Sequence, residues 1–208
     1  MLTNKEAKEA ILNGRVCIDG SVIAENIEIE NWCEISLDKV VVRQKKTRIY
    51  LKFYKPKGME STLNNTIDGN LAPFFAGYEG LSIAGRLDKN SEGLLLLSND
   101  GKWIETIINP KAIKEKEYLV LLDKSIDDEF CRKFSNGVDI GFYVTQPCYC
   151  EKKGDKLVRV ILTEGKNKQI RRMCKALGYT VVNLKRIRIH NYLIENMQEG
   201  ELVEFTPM

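Results

Sequence analysis

The sequence predicts an α+β fold built on a predominantly antiparallel mixed sheet, and three observations carry that prediction. Strand-like segments are many and helical ones few. They do not follow one another in the regular strand-helix order of a doubly wound sheet. Four consecutive leucines, Leu94 to Leu97, read as a central strand covered on both faces.

In chain order, Asn4 is placed to cap a helix over Lys5 to Leu12, with Ala7, Ala10 and Ile11 on one side. Asn13-Gly14 ends it. Arg15 to Ile18, Asp19-Gly20 and Ser21 to Ile23 then read as a tight hairpin. Val40 to Arg43 is a last strand of this small unit, residues 1–44, and Gln44 to Thr47 a polar linker. Up to Glu30 acids outnumber bases, so the unit does not advertise a nucleic-acid surface.

A larger domain, 48–208, begins with a strand over Arg48 to Tyr54, and Lys55-Pro56-Lys57-Gly58 turns the chain. Ser61 to Gly80, rich in Asn, Gly and Pro, reads as an irregular connection before Leu81 to Ala84. The leucine run follows. Asn99-Asp100-Gly101 is a turn, Trp103 to Ile108 a short helix and Glu117 to Leu122 a strand. Asp123 to Phe134 suits a helix because Ile126, Phe130 and Phe134 recur every four residues. Leu157 to Thr163 alternates as a strand, Asn167 to Leu177 is helical, and Thr180 to Ile189 returns to strand character.

Charge narrows the choice of partner. The chain is only +3 overall, but Lys152 to Arg188 holds 12 Lys or Arg against two acids. That segment is +10 and the remainder −7. A polyanion is the natural partner for such segregation, although an anionic small molecule or an acidic protein fits it too. No apolar run reaches the length of a membrane span, and the N-terminus lacks a charged head followed by an apolar signal segment, which points to the cytoplasm. Six cysteines are scattered through such a chain, and most read as reduced fillers or surface thiols. Cys148 and Cys150 form a lone Cys-x-Cys; without a second close pair, and with His190 distant in sequence, zinc is the weaker reading. The absence of a coiled coil or long apolar edge suits a monomer.

Two segments carry candidate chemistry. In Gly85 to Gly93 one acid, Asp88, lies between the cations Arg86 and Lys89 immediately before the leucine strand. An acid there is held at the rim of a cleft or buried with a cation, and either setting perturbs its ionisation. An ordinary surface loop is the competing reading. In the helix Asn167 to Leu177, Ile170, Met173, Cys174 and Leu177 form one apolar face. Lys168, Arg172 and Lys175 lie opposite, and Arg171 borders the apolar stripe. Lys166 and Lys168 sit near the helix N-terminus, where a cation gains nothing from the dipole without an acid or a bound phosphate.

Four segments together resemble the signatures of the RsuA-like ribosomal RNA pseudouridine synthases. They are Gly85-Arg86-Leu87-Asp88, Lys116-Glu117-Tyr118-Leu119-Val120, Glu164 to Met173 and Leu184 to Ile189, in that order over about residues 48–207. Asp88-Lys89-Asn90-Ser91-Glu92-Gly93 and Cys148-Tyr149-Cys150 are most similar to the RluF-like branch that modifies 23S RNA. The resemblance implies a catalytic domain of pseudouridine synthase type and isomerisation of uridine in 23S ribosomal RNA, without metal or organic cofactor. It implies Asp88 as catalyst, Arg86 as the residue that displaces the target nucleotide, and Tyr118 as the ring stacked on the flipped uracil. Arg171, or its neighbour Arg172, would pair with the acid, and Leu184 would pack near the base. Lys166, Lys168, Arg172, Lys175, Lys185, Arg186 and Arg188 are the expected RNA contacts.

The same resemblance makes residues 1–44 a truncated S4-like RNA-binding module, with Ala7 to Ile11 as its second helix and the first missing. Tyr54-Lys55-Pro56 replaces the commoner Asn-Lys-Pro, and His190-Asn191-Tyr192 departs from a Gly-containing pattern. A transfer RNA substrate, a ribosome assembly intermediate, and a non-catalytic RNA-binding or assembly factor remain open.

Overall fold

The computed structural model describes residues 2–29, 32–109 and 113–207. The chain divides into two compact units, residues 1–48 and 49–208. Glu30, last of the acids counted in the N-terminal stretch, lies outside the described residues.

In the first unit, helix α1 spans Asn4–Leu12. Its cap is Thr3, not Asn4: Thr3 and Glu6 are three residues apart and close a reciprocal capping box. The expected hairpin forms between β1 (Val16–Ile18) and β2 (Ser21–Ile23). Asp19 and Gly20 both take positive φ, as a two-residue turn of this hand requires. A second hairpin joins β3 (Ile35–Leu37) to β4 (Val40–Arg43) through Asp38 and Lys39, again at positive φ. These strands form one sheet, ordered β2-β1-β3-β4. Sequence periodicity missed β3 because three residues are too few to show alternation.

Among the described residues the second unit is built on nine strands. They are β5 (Tyr50–Lys55), β6 (Ser82–Ile83), β7 (Glu92–Ser98), β8 (Lys116–Leu122), β9 (Tyr149–Lys152), β10 (Leu157–Leu162), β11 (Val181–Ile189), β12 (Tyr192–Leu193) and β13 (Leu202–Glu204). The order is β13-β5-β7-β11-β8-β10-β9, with β6 beside β7 and β12 beside β11. Among the described residues, β7 with β11 is the one parallel pairing of named strands. The α+β reading therefore holds.

The leucine run accounts for the sheet's two cores. Every residue of β7 is buried. Leu95 and Leu97 face a cluster with Phe53, Val120, Val160, Phe130 and Met173; Leu94 and Leu96 face another with Tyr54, Ile104, Ile107 and Ile189. Helices α3 (Phe130–Ser135) and α4 (Gln169–Ala176) contribute to the first, and α2 (Gly101–Ile108) to the second.

Helix α3 is much shorter than Asp123 to Phe134. Polar side chains take the preceding backbone out of helical bonding: Asp123 accepts from Thr180 N–H, and Asp127 from Glu129 N–H. Ile126, Phe130 and Phe134 are nevertheless all buried, so the apolar spacing marked the core rather than the helix length. Helix α4 buries Ile170, Met173 and Cys174 as its periodicity requires. Among the described residues no helix is long and apolar enough to cross a membrane.

Candidate active site

Asp88 lies in the loop between β6 and β7, half-buried, with Arg86 exposed and Leu87 buried. The surrounding fold engages every backbone carbonyl from Gly85 to Ser91. Arg186 donates to Gly85 O at 3.2 Å and Arg86 O at 3.3 Å. Ser61 Oγ donates to Leu87 O at 2.7 Å and accepts from Leu87 N–H at 3.1 Å. Ser91 N–H closes on Asp88 O at 3.0 Å, and Gly58 N–H donates to Lys89 O at 2.8 Å. Arg171 donates to Asn90 O at 2.7 Å, and Lys55 to Ser91 O at 2.7 Å. A loop held at each peptide presents its one acid in a fixed place. By contrast, the Asp88 carboxylate forms no hydrogen bond or ion pair among the described residues. Its backbone is held in place while its carboxylate faces no protein partner among the described residues.

Three cations surround this loop, and they differ in role. Lys55 is completely buried at the end of β5; its ammonium also donates to Pro56 O at 2.8 Å. Burial pushes it down to about 8, opposed by the charges of Glu60, Asp88 and Glu92. Arg171 does not form the expected ion pair with Asp88. Its guanidinium instead reaches Asn90 O, Ser91 Oγ at 3.2 Å and Val181 O at 3.3 Å, because α4 docks beside the loop's C-terminal end. Its Nε is buried with no partner among the described residues. Arg172 points elsewhere, its guanidinium over the Phe142 ring.

Arg186 corrects the sequence reading most clearly. It was expected to contact RNA, but it is only 2% exposed. It lies in the interior of β11, donating to Leu94 O at 2.8 Å and to the two loop carbonyls. Burial pushes its guanidinium below the usual arginine range, with Tyr118 opposing. Replacing it by Met would orphan three carbonyls, each costing ~1–3 kcal/mol when unmet and buried. Removing a buried charge offsets part of that sum, so Arg186→Met should lower stability by about 2–4 kcal/mol, read from urea unfolding. A surface RNA contact would instead change stability by no more than about 0.5 kcal/mol.

The remaining expected RNA residues do not share one face. Lys166, Lys168 and Lys175 are exposed on or before α4. Lys185 lies over the Tyr54 ring, and Tyr54 belongs to the core beneath α2. Arg188 is engaged by Glu117 at 2.7 Å and Glu115 at 2.9 Å, so its charge is already met. Glu117 also binds Arg159 at 2.7 Å. These acids account for part of the positive excess that the sequence displays.

Tyr118 and Leu184 stand on β8 and β11, 8% and 5% exposed, in the same cluster as Leu87. The parallel pairing that brings β11 to the loop depends on Gly93. A Cβ there would stand 2.3 Å from Arg186 O, and its φ of +108° suits glycine. Sequence reasoning missed Lys55, read only as part of a turn, and Ser61, placed in an irregular connection. The loop carbonyls they hold, Ser91 O and Leu87 O, lie 36 and 26 residues away and leave no local signal.

Of the six free cysteines Cys174 is buried and the others are half-buried. Burial pushes the Cys148 thiol up to about 11 and Cys174 up to about 12. Cys150 Sγ lies 3.2 Å from Cys131 Sγ. No group of three or more His, Cys, Asp or Glu among the described residues is arranged to hold a metal ion.

The RNA pseudouridylate synthase family model matches residues 49–176, which include the Asp88 loop, β8 and α4. An uncharacterized RNA pseudouridine synthase of Aquifex aeolicus (strain VF5) is 38% identical, covering 99% of this chain and 88% of that protein. The dual-specificity RNA pseudouridine synthase RluF of Escherichia coli (strain K12) is 33% identical, covering 98% of this chain and 71% of its own. A solved pseudouridylate synthase superposes with a TM-score of 0.72 at 30% identity, covering 99% of this chain and 91% of the other. Family model, relatives and fold agree, and the chain belongs to the RNA pseudouridylate synthases, enzymes that isomerise uridine to pseudouridine in RNA.

Proposed function

We propose that this protein isomerises one or a few uridines of 23S ribosomal RNA in the cytoplasm, with Asp88 as the catalytic residue. The observation that carries the site assignment is the Asp88 loop, fixed at every peptide while its carboxylate remains free. Support for ribosomal RNA comes from relatives. The ribosomal large subunit pseudouridine synthase B of Bacillus subtilis (strain 168) is 28% identical, covering 99% of this chain and 87% of that protein. The RluF-like flavour of residues 88–93 favours the large subunit.

The reaction breaks the N1–C1′ bond, turns the uracil and forms a C5–C1′ bond; C5 loses a proton and N1 gains one. Uracil must leave the base stack for this to happen. Arg86, exposed two residues before Asp88, is the group proposed to take the vacated place, while Tyr118 and Leu184 form the apolar floor. Asp88 acts ionised, as a nucleophile or as a base toward the sugar. Arg171 is proposed as a positioning residue that holds the loop rather than as a direct partner of the acid. Residues 1–44 are proposed as an S4-like module that adds RNA contact.

The test is release of tritium from 23S rRNA transcribed with uridine tritiated at C5. The purified protein should release it at a discrete number of sites. Absence of release from both naked 23S rRNA and large-subunit assembly intermediates would remove this substrate.

A further inference from the structure

The loop between α3 and β9 carries a feature that the Asp88 site does not use. Phe142 stands at its tip, 63% exposed, beside an equally exposed Val144. An isolated exposed apolar residue means little by itself. Here, however, the loop is built to hold the ring still. Asp139 bridges to Val144, Ile140 N–H donates to Tyr143 O at 3.0 Å, and Gly141 N–H to the Asp139 carboxylate at 2.8 Å.

Glu164 then staples the loop to the approach of α4. It accepts from the Tyr143 hydroxyl at 2.9 Å, Gln146 N–H at 2.9 Å and the Gln169 amide at 2.6 Å. Two cations complete the arrangement. Arg172 lies 4.9 Å from the Phe142 ring centroid, and Lys166 lies 4.6 Å from that of Tyr143. The guanidinium takes one face of Phe142, and the ring's exposure leaves the other open. Arg171, the neighbour of Arg172 on α4, reaches Asn90, two residues beyond Asp88. The aromatic tip and the acid therefore flank one short helix.

We infer that Phe142 is a stacking platform for an unpaired base of the substrate RNA near the target uridine, with Arg172, Lys166 and Lys168 meeting the adjoining phosphates. This rests on the proposed RNA substrate and adds a specific subsite to it. Positive charge beside an open aromatic face complements single-stranded nucleic acid: phosphates meet cations while any base meets the ring. An acidic protein would satisfy the cations and leave the ring face without a matched partner.

The experiment compares binding of a fluorescein-labelled oligouridylate with that of an abasic ribose-phosphate oligomer of equal length, by anisotropy. The proteins are wild type, Phe142→Ala and Phe142→Tyr. Phe142→Ala should weaken oligouridylate binding roughly 5- to 100-fold, leave the abasic oligomer unaffected, and be rescued by Phe142→Tyr. Equal affinity of wild type and Phe142→Ala, an equal loss on both oligomers, or no oligouridylate binding by wild type would overturn the platform. So would a wild-type dimer that Phe142→Ala converts to monomer, since the ring would then face a second copy. Base-dependent binding without tritium release from 23S rRNA would sink the substrate assignment and leave the platform standing.

Discussion

Asp88→Asn is expected to abolish tritium release from 23S rRNA, by more than about 10³-fold, while the protein stays folded. The two halves of this expectation come from the same geometry. Asn keeps the size and polarity of the side chain but cannot serve as a nucleophile or base in the same way. The loop that carries it is held by its peptides, through Arg186, Ser61, Gly58, Arg171 and Lys55, none of which contacts the carboxylate. Its stability in urea should therefore match wild type within about 0.5 kcal/mol. Activity retained within ten-fold would remove Asp88 as catalyst and favour a binding role for the fold.

The largest structural effect is expected from the smallest side-chain change, Gly93→Ala. Gly93 pairs with Arg186 across the parallel β7–β11 junction, where the added methyl would sit 2.3 Å from Arg186 O and 2.7 Å from its N. Both are backbone atoms, so no rotamer change relieves the overlap. A φ of +108° adds strain of about 1–3 kcal/mol for any residue with a Cβ. The loss should exceed about 4 kcal/mol, enough to leave much of the protein unfolded, as read from its circular dichroism melting curve. A melting temperature within a few degrees of wild type would mean that the two strands separate more easily than their burial implies.

What the sequence discloses is governed by how local the physics is. Leu94 to Leu97 announced a strand covered on both faces because four adjacent apolar residues leave no face for water, and all four are fully buried. Helix α4 was legible because Ile170, Met173 and Cys174 share a face at helical spacing. Short strands were not: β9, β12 and β13 owe their existence to neighbours that arrive from elsewhere in the chain. The same holds for the cations. A string of Lys and Arg looks like one basic surface, yet Arg186 is sealed inside the sheet and Arg188 is met by Glu115 and Glu117.

The proposed acid stands in a motif that the sequence displays, while the support of its loop left no such signal. Motif resemblance pointed to Asp88, Tyr118, Leu184 and Arg171, and the fold gathers their elements around one loop. It did not disclose that Arg171 would bind the loop's backbone instead of the acid, nor that Lys55 would be buried against carbonyls. A buried lysine is legible only when its acceptors are known, and Ser91 is 36 residues away.

The most direct measurement is site-resolved mapping of pseudouridine in ribosomal and transfer RNA from cells lacking this protein, complemented with wild type or Asp88→Asn. The expected result is loss of one or a few 23S sites, restored by wild type and not by Asp88→Asn. Sites lost from transfer RNA alone would relocate the substrate. An unchanged map in both RNAs, or restoration by Asp88→Asn, would contradict an Asp88-dependent synthase acting on 23S ribosomal RNA.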